Sequence, residues 1–277
     1  MSPVGVLAVV GAKGAPGATT TVLALALGWP GPVLVVDADP AGGDVVPGWL
    51  AARVGLERGL LTFAAAARHL PPSAAGELGR ELAGHVVGVP ERPQVRVLPG
   101  LAHAGQAGGL DRGAWSRLAA ALTSGPFGGD VLVDCGRTGE AMPWRLLAAA
   151  DLVLLVTRPT MRGGHHARHA AAALLEAGLG SRGRLGLAVC GPGPYPAREI
   201  ARAVGLPARA VLPADPAAAP VLSDGVPAGP SMSRRPLLRA ARSAARQLHA
   251  DLTPAEPVRP AAAEVPRTPA GWRDRDG

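Results

Sequence analysis

The sequence has few of the residues on which several classes of function depend. Aromatic residues make up 3% of the 277 residues, with one Tyr and two Phe, and they do not alternate with basic residues as side chains that stack on single-stranded nucleic acid do. Only two cysteines occur, Cys135 and Cys190; each follows an apolar run, which predicts reduced thiols. The sequence therefore gives no support to a disulfide-stabilised secreted domain or to a single-strand-binding domain.

Long hydrophobic runs and common hydrolase motifs are also missing. No apolar run approaches the ~20 residues of a membrane-spanning helix, and the N-terminus lacks the basic segment that opens a secretory signal. Neither Gly-x-Ser-x-Gly nor His-Glu-x-x-His occurs. The histidines His165, His166 and His169 have no accompanying Cys or carboxylate at ligand spacing, so we expect a surface cluster there and no metal site. These absences favour a cytoplasmic protein.

Lysine is nearly absent, since the one lysine, Lys13, stands against 27 arginines. It opens the glycine-containing segment Lys13–Thr20, which directly follows the apolar run Val4–Val10. A buried strand, such a turn and a helix beginning near Thr19 form a phosphate cradle, because free backbone N–H groups and the helix N-terminus favour an anion. An ordinary P-loop has its phosphate-binding lysine at the position of Ala18. The residues expected to surround the phosphates are Gly14, Ala15, Pro16, Gly17, Ala18, Thr19 and Thr20.

Apolar runs of Val and Leu alternate with helical stretches along the chain. Continuous runs of this kind are typical of a parallel sheet covered on both faces. We therefore predict a single α/β domain over residues 1–252, a doubly wound and mostly parallel sheet with helices on both faces, with ligands at the carboxyl ends of the strands. The segment 253–277 is rich in Pro and Ala and is predicted to be disordered. The predicted strands are Val4–Val10, Val33–Asp37, Val95–Leu98, Val131–Asp134, Leu152–Thr157, Leu185–Cys190 and Ala210–Leu212; the predicted helices are Thr19–Leu27, Trp115–Leu122, Trp144–Ala149, His165–Glu176, Ala197–Val204 and Leu237–Leu252.

Two predicted strands end in carboxylates that could serve a metal near the phosphates. The second strand ends in Asp37-Ala38-Asp39, and the fourth ends in Asp134. Thr19 could offer its hydroxyl to Mg²⁺ as the Ser/Thr of a P-loop does. Each feature alone could be a turn or a helix cap. Their joint occurrence in this order favours a nucleotide-type phosphate site.

The residues Lys13–Thr20, with Asp37-x-Asp39-Pro40 and a strand ending in Asp134, resemble the deviant Walker A ATPases of the ParA/MinD class. The nearest likeness is to degenerate members such as the TadZ/CpaE-type proteins of pilus assembly and positioning. The resemblance covers about residues 4–250 and implies a P-loop NTPase fold of the SIMIBI type, with ATP and Mg²⁺ as cofactors and a homodimer that positions or partitions a partner. It continues through residues 150–159, 212–216 and 225–227.

The resemblance also implies a role for each matching residue. In the family the signature lysine, here Lys13, reaches across an ATP-sandwiched dimer to the partner's phosphates. Lys13 and Asp39 would therefore be the catalytic residues. The remaining matches are Thr19 to the Mg²⁺ ligand, Thr20 to a phosphate contact, Asp37 to an acid near the metal, Asp39 to the acid that positions water and Asp134 to the Walker B acid.

The sequence departs from the family pattern at three positions. Ala18 replaces the phosphate lysine, Ala15 replaces a glycine, and Cys190 lies where many members read adenine with an asparagine. Losing one charged hydrogen bond costs ~1.5–3 kcal/mol, or about one to two decades of affinity, and hydrolysis should suffer more because negative charge develops there. Arg137, three residues after Asp134, could replace this charge, although a solvent-facing arginine is the simpler interpretation.

The segment Ser231–Leu252 carries five arginines and one acid, in a protein of formal charge +7. One interpretation is a terminal helix docked through an apolar stripe with solvated arginines. The other is a contact with DNA phosphates or anionic lipid, peripheral at the nucleoid or membrane. The apolar stripe is Leu238, Ala241, Ala245, Leu248 and Leu252; the basic stripe is Arg235, Arg239, Arg242, Arg246 and His249.

Three hypotheses follow from these observations. The first is a ParA/MinD-like dimeric switch that binds ATP·Mg²⁺ and hydrolyses it weakly or slowly. The second is a localisation scaffold, independent of nucleotide, for pilus, secretion or division machinery. The third is a DNA-binding partition factor.

Overall fold

The computed structural model describes residues 4–14, 17–51, 53–55, 57–89, 91–125 and 127–252. Ala15 and Pro16 of the predicted phosphate turn lie outside the described residues, as does the segment 253–277 that was predicted to be disordered.

Eight strands form one sheet in the described part of the chain, in the order β3-β4-β2-β5-β1-β6-β7-β8. All neighbouring pairs are parallel except β3 with β4, which are antiparallel. This confirms the predicted fold class. The strands are β1 Val6–Gly11, β2 Val33–Asp37, β3 Val87–Val89, β4 Arg92–Leu98, β5 Asp130–Arg137, β6 Leu152–Thr157, β7 Leu185–Cys190 and β8 Ala208–Leu212.

Helices cover both faces of the sheet, because successive strand side chains point to opposite faces. In β1, Val6, Ala8 and Val10 belong to one apolar cluster, whereas Leu7 and Val9 belong to another. The helices of the described residues are α1 Ala18–Gly28, α2 Leu60–Ala66, α3 Ala75–Ala83, α4 Arg112–Thr123, α5 Trp144–Ala149, α6 Met161–Leu174, α7 Ala197–Val204, α8 Ala219–Ser223 and α9 Pro236–Leu252. The first cluster takes the apolar side chains of α2 to α7, and the second takes those of α1, α8 and α9.

The last helix, α9, packs tightly along α1. A Cβ on Gly28 would lie 2.7 Å from the Cα of Arg242, so the two backbones are in contact there. All five residues of the predicted apolar stripe of α9 are buried, which confirms that this helix docks on the domain. Asp130 at the start of β5 links three neighbouring segments. Its carboxylate accepts from the backbone N–H of Gly5 before β1 (2.9 Å) and from Trp29 Nε1 after α1 (2.9 Å), and it is hydrogen-bonded to His249 Nδ1 near the end of α9 (2.6 Å).

The sequence prediction missed four short elements: β3, α2, α3 and α8. β3 and α8 have only three and five residues, so their apolar patterns are too brief to separate from a loop. The prediction also began α6 at His165, four residues late, because it overlooked Thr160. That residue caps the helix, since its hydroxyl accepts a hydrogen bond from the N–H of Gly163 (3.0 Å).

Candidate functional site

The candidate site lies at the carboxyl edge of the sheet, where β2, β5 and β1 are neighbours. A cavity of about 1160 Å³ opens along this edge. Its lining includes Gly17–Thr21 at the start of α1, Asp39–Gly42 after β2, Gly136–Met142 at the end of β5 and the loops after β7 and β8. The predicted position of the ligand, at the carboxyl ends of parallel strands, therefore coincides with this cavity.

The N-terminus of α1 faces this cavity without a side-chain cap. Gly17 precedes the helix with φ 119°, a conformation that favours glycine, and no acidic residue lies in the first turn. The first N–H groups of a helix have no partner within it, so an uncapped first turn offers donors to an anion. Thr19 and Thr20 are half-buried and line the cavity beside these donors.

The structure separates the two positions at which a P-loop lysine could act. Ala18 is buried, lines the cavity and packs in the apolar cluster of α1, so this position brings no charge. Lys13 is exposed and does not line the cavity. Its ammonium group lies near the start of α6. There the pKa of His166 is lowered, first by desolvation of the imidazole and next by the charge of Lys13. Among the described residues, the basic side chains in the cavity lining are Arg137 and Arg158.

Two buried carboxylates lie side by side behind the cavity. Asp37 and Asp134 are in register on the neighbouring strands β2 and β5, and both are fully buried. Asp37 Oδ2 accepts from the N–H of Val45 (3.1 Å), and Asp134 Oδ1 accepts from the N–H of Gly136 (3.0 Å). The other oxygen of each carboxylate, Asp37 Oδ1 and Asp134 Oδ2, is buried with no hydrogen-bond partner among the described residues. Two unsatisfied carboxylate oxygens in one place need a cation or a proton.

The pKa values of both carboxyl groups are raised, and burial is the main cause. Burial and the charge of Asp134 raise the pKa of Asp37 well above its ordinary value. Burial raises the pKa of Asp134 to about 6, while the hydroxyl of Thr19 and the N–H of Gly136 act in the opposite direction. The Thr19 side chain in the first turn of α1 therefore faces the carboxylate at the end of β5.

Asp39 lies closer to the cavity than the buried pair and lines it. Its Oδ1 accepts from the N–H of Ala41 (2.8 Å). Burial raises its pKa, the Ala41 bond lowers it, Asp44 raises it and the nearby charge of Arg137 lowers it. Gly136 makes room for this carboxylate, because a Cβ at that glycine would lie 2.3 Å from Asp39 Cγ, and its φ of 65° favours glycine as well.

The residues fit Mg²⁺ that is also held by phosphates, and they do not fit a metal held by protein alone. No group of three or more His, Cys, Asp or Glu side chains in the described part of the chain forms a metal cage. Mg²⁺ keeps several waters and usually takes one or two carboxylates plus phosphate oxygens. The unpartnered oxygens of Asp37 and Asp134, with the hydroxyl of Thr19 nearby, suit that pattern.

The cavity continues between the loops after β7 and β8, where the resemblance had placed Cys190 at the position from which many family members read adenine. Cys190 lies there with its Sγ 3.5 Å from Thr21 Oγ1, and burial raises the pKa of its thiol to about 11. Asp215 lies in the opposite loop, buried and paired with Arg235. Arg158 also lines the cavity and was missed, because a single arginine after an apolar run carries no distinctive signal in sequence.

The basic stripe predicted on the last helix is wrong at two of its members. Arg235 precedes α9, and its guanidinium is held by both oxygens of Asp215. His249 is bonded to Asp130 at the other end of the helix. Buried carboxylates draw these two side chains toward the protein, whereas the remaining members, Arg239, Arg242 and Arg246, are exposed.

The histidine cluster at the start of α6 occurs as expected. His165 stacks edge-on with His166 and with His169, at ring-centroid distances of 5.5 and 4.7 Å. No Cys or carboxylate of the described residues joins them in a metal-binding group.

The eight-stranded, mostly parallel sheet with helices on both faces matches the P-loop NTPase fold of ParA and MinD proteins. Solved structures similar to this chain are ATPases of that kind. A ParA family ATPase of Chlorobium tepidum has a TM-score of 0.67 at 17% identity, over 89% of this chain and 99% of that one. MinD of Pyrococcus horikoshii, in complex with Mg-ADP, has a TM-score of 0.68 at 20% identity, over 88% and 96%.

A third neighbour is an ATP complex of a McdA variant from Cyanothece, with a TM-score of 0.57 at 16% identity, over 88% of this chain and 97% of that one. No protein-family model matches the sequence, and neither does any curated protein. Among the described residues no helix is long and apolar enough to cross a membrane.

Proposed function

We propose that this chain is a ParA/MinD-like ATP-binding protein, closest to the degenerate TadZ/CpaE-like branch with a deviant Walker A segment. It acts as a cytoplasmic dimeric switch that positions or partitions a partner. The observation that carries the proposal is the pair Asp37 and Asp134, two buried carboxylates with unpartnered oxygens beside the uncapped N-terminus of α1. A protein without a cation or polyphosphate ligand gains nothing from this costly arrangement.

In this proposal the described residues divide the work by position. The N–H groups of the first turn of α1, with Gly14 and Gly17 in the preceding turn and Thr20 beside them, bind the phosphates. The hydroxyl of Thr19 and the carboxylate of Asp134 would hold Mg²⁺, and Asp37 would be the second acid near the metal. The metal ion, when bound, neutralises charge on the phosphate oxygens. Asp39, at the edge of the cavity, accepts a hydrogen bond from the attacking water and orients it.

The position of Lys13 supports a homodimer. The side chain is exposed and lies outside the cavity of its own protomer, so its charge is available to the nucleotide of a second copy. Such an arrangement makes dimerisation dependent on nucleotide, because the phosphates and the partner's lysine attract each other only when nucleotide is bound.

Hydrolysis is expected to be weak because Ala18 leaves the cavity short of one charge. Arg137 is the residue that could replace it, since its charge already acts on Asp39 and its side chain lines the cavity. An exposed arginine is less well oriented than a lysine fixed in the turn, so catalysis should be affected more than binding.

The first experiment measures ATP and ADP binding calorimetrically with Mg²⁺, and sedimentation of the same samples. Wild type should bind ATP at micromolar concentration and dimerise; Lys13→Ala should bind ATP but remain monomeric, and Ala18→Lys should bind about 10- to 100-fold more tightly. Arg198→Ala, at an exposed position outside the cavity, is the control. No ATP binding by wild type would refute the switch.

The scaffold remains the second candidate function, and one observation favours it. Ala18 packs in the apolar cluster of α1, so this position contributes to the core and brings no charge to a phosphate. A scaffold would sediment with the same mass with and without ATP, and Lys13→Ala would leave that mass unchanged.

The third candidate function is a DNA-binding partition factor. Its support is the three exposed arginines of α9. DNA affinity that falls steeply with salt, and falls less steeply when Arg239, Arg242 and Arg246 are replaced by alanine, would support it. A protein that does not bind duplex DNA at low salt would exclude it. Attachment to the nucleoid or to a membrane surface through this helix is part of the same hypothesis.

A further inference from the structure

Two arginines lie on opposite sides of the turn that follows β1. The sheet order places β1 between β5 and β6. Arg137 lies at the end of β5, in register with Gly11 of β1, and Arg158 directly follows the last residue of β6. These two are the basic side chains that line the cavity among the described residues. A polyphosphate bound over the first turn of α1 would therefore have one guanidinium on each side.

The two arginines differ in the acids around them. Arg137 lies on the acidic side of the cavity, and its charge acts on Asp39, whose pKa it lowers. Asp215, on the other side, is paired with Arg235. Arg158 forms no hydrogen bond or ion pair with any described residue, so its charge is not balanced within the described part of the chain. The acids of the lining that follow β2 or β5 are Asp39, Asp44 and Glu140.

The backbone of Arg158 is held at several points. Its carbonyl oxygen accepts hydrogen bonds from the N–H of Thr160 (2.8 Å) and from Thr157 Oγ1 (3.4 Å). Pro159, the next residue, has a fixed φ. Gly163 packs on the same carbonyl, because a Cβ at that glycine would lie 2.4 Å from the oxygen. A side chain that starts from a fixed backbone loses less entropy when it binds an anion than one on a free loop does.

The chemistry of this side chain suits a phosphate. A guanidinium offers five N–H donors in a planar fork, which binds phosphate oxygens in pairs. Arg158 is half-buried, and a partly desolvated cation without an acid gains from an anion that enters the cavity. Ala18 brings no charge to the phosphates, so a cation from the neighbouring strand end would supply what the turn itself lacks.

We propose that Arg158 is a phosphate-binding residue that contacts the inner phosphates of a nucleoside di- or triphosphate. The proposal rests on the nucleotide binding proposed above. There, Asp134 and Asp39 serve the metal ion and the attacking water, and they follow β5 and β2, on the other side of β1 from β6. The terminal phosphate therefore belongs on the side of Arg137, and the inner phosphates lie toward Arg158. The proposal goes further because it gives the two arginines different phosphates.

The test is calorimetric titration of the full chain with ATP and with ADP in the presence of Mg²⁺. Arg158→Ala should weaken both nucleotides by the same factor, about 10-fold or more, because both carry the inner phosphates. Arg137→Ala should weaken ATP at least about threefold more than ADP, because ADP lacks the terminal phosphate. Arg168→Ala, at an exposed position of α6 outside the cavity lining, is the matched control and should bind both nucleotides as wild type does.

A thermal unfolding measurement without nucleotide accompanies these titrations. Arg158 has no partner among the described residues, so Arg158→Ala should unfold at the temperature of wild type. Arg158→Gln keeps a polar side chain without the charge and should lose affinity for ATP and ADP in the same way. It serves as the test if the alanine variant does not fold.

The outcomes separate this proposal from the one on which it rests. Wild-type affinity for ATP and ADP in a folded Arg158 variant overturns the role of Arg158 and leaves the proposed nucleotide binding intact. A loss confined to ATP overturns the assignment to the inner phosphates. No binding of either nucleotide by the wild-type protein overturns the proposed function itself, and the role of Arg158 with it.

Discussion

Replacing Asp134 by Asn should stabilise the protein while abolishing the Mg²⁺-dependent nucleotide binding that we propose for it. The carboxylate is fully buried, one of its oxygens has no partner among the described residues, and its pKa is raised from 3.8 to about 6. The folded state thus binds this proton more tightly than the unfolded chain does. The free energy of unfolding therefore falls as pH rises from about 4 to about 6 and stays lower above that range.

The size of the effect follows from the shift in pKa. About two pKa units at 1.36 kcal/mol each give about 3 kcal/mol by which the ionised carboxylate destabilises the fold at neutral pH. Relaxation and water entry reduce this figure, so we expect Asp134→Asn to gain about 1–3 kcal/mol at pH 7.5. The gain should shrink toward zero near pH 4. The Asn carbonyl can still accept from the N–H of Gly136.

The assay is urea unfolding without nucleotide or Mg²⁺ at pH 7.5, 6 and 4.5, with ATP titrations at pH 7.5. Glu176→Gln is the matched control, because it removes one negative charge from an exposed position that follows α6 and does not line the cavity, and it should change the unfolding free energy by less than about 0.5 kcal/mol. Loss of more than about 1 kcal/mol in Asp134→Asn, or a gain that does not depend on pH, would refute the reasoning from the unpartnered carboxylate.

Three further changes test other parts of the structure. Gly136→Ala should cost about 1–3 kcal/mol and weaken nucleotide binding, because its Cβ meets a carboxylate of the site and its φ is positive; Gly229→Ala, with no atom within 4 Å of the added Cβ, should be neutral in the same thermal unfolding assay. Arg235→Ala should lower the free energy of unfolding in urea more than Arg239→Ala does, because Asp215 loses its charged partner and keeps only the N–H groups of Ala218 and Leu237; an equal loss in exposed Arg239→Ala would contradict the distinction between the two. Arg137→Ala should weaken ATP binding about 10-fold or more in calorimetry and leave stability unchanged; unchanged affinity would remove it as the substitute for the missing lysine.

The sequence predicted the sheet well because its strands are continuous apolar runs. Val33–Asp37, Leu152–Thr157 and Leu185–Cys190 form strands with the predicted bounds. A strand buried on both faces carries its signal in every residue, so neither neighbours nor register are needed to recognise it. The edge strand Val87–Val89 was missed, since it is three residues long and antiparallel to its neighbour.

The sequence also determined which chemistry the site could hold. The spacing of glycines and threonines after the first strand, and the acids that end two later strands, predict a phosphate and Mg²⁺ site, because these residue types follow buried strands at the edge where a doubly wound sheet binds ligands. The sequence also identified Ala18 as an uncharged residue at the position of the P-loop lysine, and the fold places it in the apolar cluster of α1.

Only the tertiary structure decided how these groups meet. The pairing of β2 with β5 brings Asp37 against Asp134 and leaves an oxygen of each without a partner, although 97 residues separate them in the sequence. Arg235 belongs to a stripe of solvated arginines in the sequence and to a buried ion pair in the structure. The physical reason is the same in both cases: a side chain's charge is read from its own residue, but its desolvation and its partners depend on what the rest of the chain packs against it.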